Sequence, residues 1–331
     1  MRTSRVFFPQ IVRRRLSTPT HTDLSMMNRV VCVTGATSGI GEATAWRFLK
    51  DGAKLVLIGR RQERLEALKN AMEEYSPQSE VHIETMSVSD LEAVASLPGR
   101  LPEKFANVDV LVNNAGLALG VTGVDKNDMA QLQTQLNTNV LGLAAMCRTF
   151  TPSMIARGRG HIINIGSIAG IHAYPNGSLY NASKFAVNGF TQAIRHDLMA
   201  TPVRVTEIRP GMVQTEFWNV RFGGDGSEEA VAKAQENVMP LQAGDIADQV
   251  FYVATRPSHV QIADITVYPT NQCSPRDIAR VGESLGAPEA APLRALQDDS
   301  ESIIEKRIDS SGTVDTPSST AGSKKASTSA Y

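Results

Sequence analysis

Tyr180 and Lys184 stand four positions apart in SLYNASKFAV, residues 178–187. At that spacing two side chains share one face of a helix. A lysine ammonium beside a tyrosine hydroxyl favours the phenolate. A free tyrosine has a pKa near 10, so only about 0.1% is ionised at pH 7, and lowering it by roughly 3 units requires about 4 kcal/mol of differential stabilisation. Taken alone, such a pair is common by chance and reads as a solvated or capping contact on a helix. Ser167 precedes Tyr180 by 13 residues in NIGSIAG and supplies a second hydroxyl that could orient a substrate oxygen.

Such side chains need elements to hold them, and the chain between Asn28 and about Cys273 alternates in a way that supplies them. RVVCVTG (29–35), KLVLIG (54–59), VHIETM (81–86), VDVLVN (108–113), HIINI (161–165) and VRVTEI (203–208) read as short strands. Most are too apolar to have a wet face. Between them run helical patterns such as 62–74, with Leu65 and Leu68 on one side. Strands buried on both faces and alternating with helices imply a parallel sheet covered on each side. ITVYP (265–269) reads as a last strand at one edge. The expectation is α/β: one doubly wound Rossmann-type domain over 28–275, with a seven-stranded, mainly parallel sheet.

Ligands of such sheets bind beyond the carboxyl ends of the strands. TGATSGIG (34–41) follows the first strand and opens a helix. Its Gly35, Gly39 and Gly41 allow a tight turn, and Thr37, Ser38 and Ile40 lie where a phosphate would meet free helix N–H groups. After the second strand an acid would bind a ribose 2′-hydroxyl. The sequence instead has Arg60 and Arg61, which suit a 2′-phosphate. The expected cofactor is therefore NADP rather than NAD. Asn113, Ala115 and Gly116 end the fourth strand, small residues there letting the chain pass close to a cofactor, and Pro210-Gly211 ends the sixth.

TGATSGIG, NNAG, Asn139, Ser167, YNASK and PG, in this order and spacing, are similar to the short-chain dehydrogenase/reductase family over about 28–273. The resemblance implies hydride transfer between nicotinamide C4 and a substrate carbonyl or alcohol carbon. It gives Tyr180 the acid/base role, helped by Lys184 and the positive oxidised nicotinamide. It gives Ser167 the orienting role, and has Lys184 hold the nicotinamide ribose. Asn139 would fix a helical kink and a water that completes a proton relay. Val213 and Thr215, with Pro210 and Gly211, would complete the cofactor site. The sequence departs from the family at Ser87, which stands where an Asp usually contacts the adenine; Asp90 is displaced by three.

LVNNAGLALG, GSIAGIHAYPNGSLYNASKFAV, TEFWNVRFGGD and IADITVYPTNQCSP resemble one subgroup, the NADP-dependent 3-hydroxy acid dehydrogenases. The resemblance implies oxidation of L-serine, L-allo-threonine or 3-hydroxyisobutyrate at the β-hydroxyl, and reduction of malonic semialdehyde-type substrates. Arg221 could bind the substrate carboxylate bidentately, or could cap its loop. Phe217 is expected to anchor that loop, and Trp218 either lines a lid or anchors it. Two other functions stay open: a broad NADPH carbonyl reductase, and a non-catalytic NADP-binding scaffold. The family also implies a homotetramer with the Tyr180 helix in an interface.

The 331 residues are 42% hydrophobic and 20% charged, with a formal net charge of -1. That balance gives no reason to expect nucleic acid or an anionic membrane as a partner, and no apolar run approaches bilayer length. Cys32, Cys147 and Cys273 are dispersed, and with the 6 histidines they show no metal-ligand spacing, so no metal is expected. Residues 1–22 hold 5 arginines and no acid. Phe8, Val12 and Leu16 recur along this segment, which makes 1–27 either a mitochondrial transit peptide or a basic leader with no address. Met26 and Met27 offer a second start, so both a cytoplasmic and a mitochondrial matrix form are expectations. Residues 276–331 form a C-terminal extension, expected to be largely disordered from about Asp298 because its Ser/Thr-rich composition cannot offset ordering entropy.

Overall fold

The computed structural model describes residues 25–223 and 227–280. The expectations for the basic leader and for the Ser/Thr-rich tail lie outside the described residues. Within them, seven parallel strands form one sheet in the order β3-β2-β1-β4-β5-β6-β7. These are β1 (Val30–Thr34), β2 (Lys54–Gly59), β3 (Val81–Thr85), β4 (Val108–Asn113), β5 (Gly160–Ile165), β6 (Val203–Pro210) and β7 (Asp264–Val267). β1 and β4 are buried along their whole length, which is why they read as unbroken apolar runs.

Alternate residues of each strand feed two cores. Val31, Val33, Leu57 and Val112 pack beneath α1 (Gly39–Leu49), α2 (Gln62–Tyr75) and, farther along the sheet, α9 (Ala243–Ala254). Cys32, Val56, Leu111 and Val205 face the opposite layer of α3 (Leu91–Arg100), α5 (Leu143–Arg157) and α6 (Ser178–Asp197). The remaining helices are α4 (Met129–Leu136), α7 (Phe217–Phe222) and α8 (Ser227–Gln235). A π-helical turn, Asn137–Gly142, joins α4 to α5.

The strand order reverses between β1 and β4, so a crevice opens at their carboxyl ends. The Thr34 hydroxyl holds that crevice shut at its base by accepting from the backbone N–H groups of Asn114 and Ala115, each at 3.0 Å. The ordered fold extends beyond 28–275. Met26 is buried in the core, and its backbone N–H donates to Asp51 at 2.6 Å. At the other end Ile278 bridges back to Gln272, and Arg280 donates to the Glu236 carbonyl at 2.6 Å. Among the described residues no helix is long and apolar enough to cross a membrane.

Candidate active site

The crevice is a cavity of about 1070 Å³ that runs from Arg60 and Ser87 at one end to Tyr180 and Arg221 at the other. Its phosphate end is built by TGATSGIG. Gly35 and Gly39 have φ of 66° and 56°, the left-handed region that a Cβ disfavours. A Cβ on Gly41 would sit 2.2 Å from the Gly35 carbonyl oxygen. Gly41 therefore lets α1 begin tight against the loop, while Thr37, Ser38, Gly39 and Ile40 form the wall. The chain leaves this cradle open to a diphosphate, the group for which such a turn is suited.

At the end of β2 the two arginines part company. Arg61 folds over the loop, donating to the Thr37 and Ser38 hydroxyls at 2.8 and 2.9 Å, and pairs with Glu216 at 2.9 Å. Arg60 is exposed on the same wall. Arg64 also donates to Glu216. Burial opposes ionisation of Glu216, but the bonds from Arg64 and Arg61 outweigh it and hold the carboxyl below its usual range. Ser87 lines the cavity in place of the usual acid. Asp90 is spent elsewhere, capping α3 by accepting from the Ala93 N–H at 3.0 Å.

After β4 the wall is Asn114, Ala115 and Gly116. Asn113, expected at the cofactor, instead turns its amide into the sheet, donating to Asn164 at 2.9 Å and to the Cys147 sulfur at 3.2 Å. The reason is strand alternation: successive side chains point to opposite faces. Asn139 sits in the π-helical turn, with its side chain fully engaged. Its Oδ1 accepts from the Leu117 N–H at 2.9 Å, and its Nδ2 donates to the Leu117 carbonyl and the Ser183 hydroxyl. It thus pins the strand-four loop to α6. Pro210, Gly211, Val213 and Thr215 line the cavity beyond β6.

Ser167, Tyr180 and Lys184 converge at the other end. Lys184 Nζ donates to the Ile165 carbonyl at 2.9 Å and lies 5.9 Å from the centre of the Tyr180 ring. Burial pulls its pKa down to about 8, and the charge of Glu207 works the other way. For Tyr180 burial pushes the hydroxyl up and the neighbouring Tyr174 adds to this, while a hydrogen bond with Ser167 and the Arg221 guanidinium oppose it. The sequence expectation joined Lys184 to a nicotinamide charge; among this chain's own side chains burial is the largest influence on Tyr180, and Ser167 and Arg221 oppose it.

Arg221 lies on α7 and is only 7% exposed. Its guanidinium carbon sits 5.4 Å from the ring centres of Tyr174 and Tyr180, and 6.0 Å from that of Trp218. No acid pairs with it among the described residues. Phe217 packs against the Tyr180 ring at 5.6 Å rather than into the sheet core. Trp218 anchors the segment, its indole N–H donating to the Val213 carbonyl at 2.9 Å. Sequence reasoning missed Arg64, Glu216 and Tyr174, and took Asn114 only as part of the NNAG motif.

The sequence profile of the family described as "short chain dehydrogenase" matches residues 29–223. Sulfoacetaldehyde reductase 2 of Chromohalobacter salexigens is 44% identical over 247 residues, covering 74% of this chain and 96% of that protein. The NADP-dependent 3-hydroxy acid dehydrogenase YdfG of Salmonella typhi is 44% identical over 244 residues, 73% of this chain and 96% of its own. Among solved structures, the closed form of a serine dehydrogenase complexed with NADP+ has a TM-score of 0.70 at 41% identity, covering 74% of this chain and 96% of that one. With the same strand order, glycine-rich turn and Ser-Tyr-Lys convergence already described, this chain belongs to the short chain dehydrogenase family of oxidoreductases.

Proposed function

We propose that the protein is an NADP-dependent oxidoreductase that interconverts small 3-hydroxy acids and their 3-oxo counterparts. The observation that carries the substrate class is Arg221. A guanidinium this buried, ringed by three aromatic faces and with no acid pairing with it among the described residues, is suited to an anion that offsets its desolvation. The relatives' names share that chemistry, a carboxylate or sulfonate close to the reacting carbon. Arg61 and Arg60 support the 2′-phosphate of NADP over NAD.

When bound, the nicotinamide supplies the hydride donor or acceptor. Arg221 holds the substrate carboxylate and so orients carbon 3. Ser167 hydrogen-bonds the substrate oxygen. In oxidation the Tyr180 phenolate takes the proton of the 3-hydroxyl; in reduction the Tyr180 hydroxyl returns it. Lys184 directs its remaining N–H groups to the ribose, and Asn139 keeps the helix beneath it in register.

Initial rates with NADP and NAD on L-serine, L-allo-threonine, 3-hydroxyisobutyrate and simple alcohols test the proposal. NADP-linked turnover of the acids, with little of the alcohols, is expected. Turnover of uncharged carbonyl compounds alone would replace this reading with that of a broad carbonyl reductase. Tyr180→Phe is expected to lower kcat by at least 10²–10⁴-fold, the span of general acid–base catalysis, with NADPH binding followed by fluorescence nearly unchanged.

A further inference from the structure

Glu207 belongs to none of the motifs, yet it is 0% exposed and lies under the catalytic end of the cavity. It stands on β6 with its side chain on the sheet face covered by α6, the face shared by its register partner Asn164, whose amide bonds Thr191 of α6. Its Oε2 accepts from Arg209 at 3.0 Å. Its Oε1 is buried and has no hydrogen-bond partner. That oxygen presses on Gly166, where a Cβ would lie 2.1 Å from it. The preceding residue, Ile165, gives its carbonyl to the Lys184 ammonium. A buried carboxylate with one free oxygen therefore underlies the turn on which the lysine rests.

We propose that Glu207 is a positioning residue for this reaction: its carboxylate is the counter-charge that keeps the buried Lys184 an ammonium. The proposal rests on the Tyr180–Lys184 reading above. Lys184 is buried, its ammonium donates to the Ile165 carbonyl, and burial disfavours its charge. Glu207 supplies the opposing charge. The charged groups that face Glu207 are Lys184 from α6, Arg209 from its own strand and Asp264 from β7. Burial is the largest influence and holds its carboxyl above the usual carboxylate range, with Asp264 adding to this, while Arg209 and Lys184 favour the ionised form. Arg209 bridges Glu207 and Asp264, so the buried carboxylate is tied to the sheet edge. Without Glu207 the lysine would shed its proton at lower pH, and its grip on the ribose would go with it.

The test is the pH profile of kcat/KM for NADPH, which reports free-enzyme ionisations. Activity should fall as pH rises through the ionisation of Lys184. Glu207→Gln is expected to move that alkaline limb to lower pH by about 1 unit, the scale of a close charge, while Glu207→Asp stays within a few tenths of wild type. A Gln variant that melts like wild type with an unmoved limb overturns the proposal, as does an Asp variant that moves as far as Gln. Should Gln alone fail to fold because Arg209 is left unpaired, the double variant E207Q/R209Q removes both charges. Arg209 is not among the groups acting on Lys184, so the same downward move is expected, and its absence counts equally against the proposal. Tyr180→Phe serves as the separate control. If that variant keeps turning over, the catalytic reading fails; if it is inactive while the limb ignores Glu207, only the role of Glu207 fails.

Discussion

Arg221 and Lys184 are the two buried cations at the reacting end, and they answer burial differently. Arg221 is only 7% exposed and no acid pairs with it among the described residues, so an anion bound there offsets its desolvation. Arg221→Ala is expected to raise KM for a 3-hydroxy acid by roughly 10–100-fold, the worth of one hydrogen bond to a charged group, while KM for an uncharged ketone changes little. Equal changes for both substrates would return Arg221 to a structural role. Lysine can shed its proton. Lys184 has a pKa of about 8 against its ordinary 10.5. Between these values the unfolded chain binds more protons at this residue than the folded one, so its contribution to stability rises with pH across that window. Denaturation of wild type and Lys184→Met from pH 7.5 to 10.5 checks this: the stability deficit of wild type relative to the variant should shrink as pH rises. A constant difference would mean that the lysine is not desolvated.

At the scale of elements, α7 links the two ends of the cavity. Glu216 stands just before it and is gripped by Arg61 and Arg64 from the β2–α2 corner. The helix then presents Phe217 to Tyr180 and Arg221 to the substrate end. Each ion pair is about two-fifths exposed, a setting in which such pairs contribute little alone. Here the pairs converge on one carboxylate and share Arg61 with the phosphate wall. Two predictions belong at this level. Arg61→Ala is expected to weaken NADP roughly 10–100-fold and NAD only slightly, measured as the ratio of the two kcat/KM values; an unchanged ratio would put the phosphate contact elsewhere. Glu216→Gln is expected to raise KM for the acid a few-fold, about 0.5–1 kcal/mol, through loosened placement of Arg221. Introduced on top of Arg221→Ala it should add nothing to KM, and additive effects would separate the two residues.

For the whole molecule, the chain beyond β7 closes the cavity. Gln272 accepts from the Met212 N–H at 2.8 Å, and Ile278 and Arg280 line the wall. A chain cut to 25–280 serves as the reference for melting temperature and KM. One cut to 25–271, which loses Gln272, should melt several degrees lower and raise KM; circular dichroism melts and initial rates read both. The fold itself was legible because its signals are local. Strands buried on both faces become apolar runs, and the turn of Gly35, Gly39 and Gly41 sits where its chemistry requires. The grouping of Ser167, Tyr180 and Lys184 was legible through the resemblance of the surrounding motifs to the family, since spacing alone left a solvated contact open. What only the tertiary structure decided is which faces meet. Asn113 and Asn114 are neighbours, yet the pleat sends one into the sheet and the other to the cavity. Arg64 and Glu216 are 152 residues apart, and the carboxylate of Glu207 reaches the turn under Lys184 only because β5 and β6 pair in register beneath α6. Desolvation has the same origin: burial from every side raises Tyr180 and lowers Lys184, and no stretch of sequence encodes that enclosure by itself.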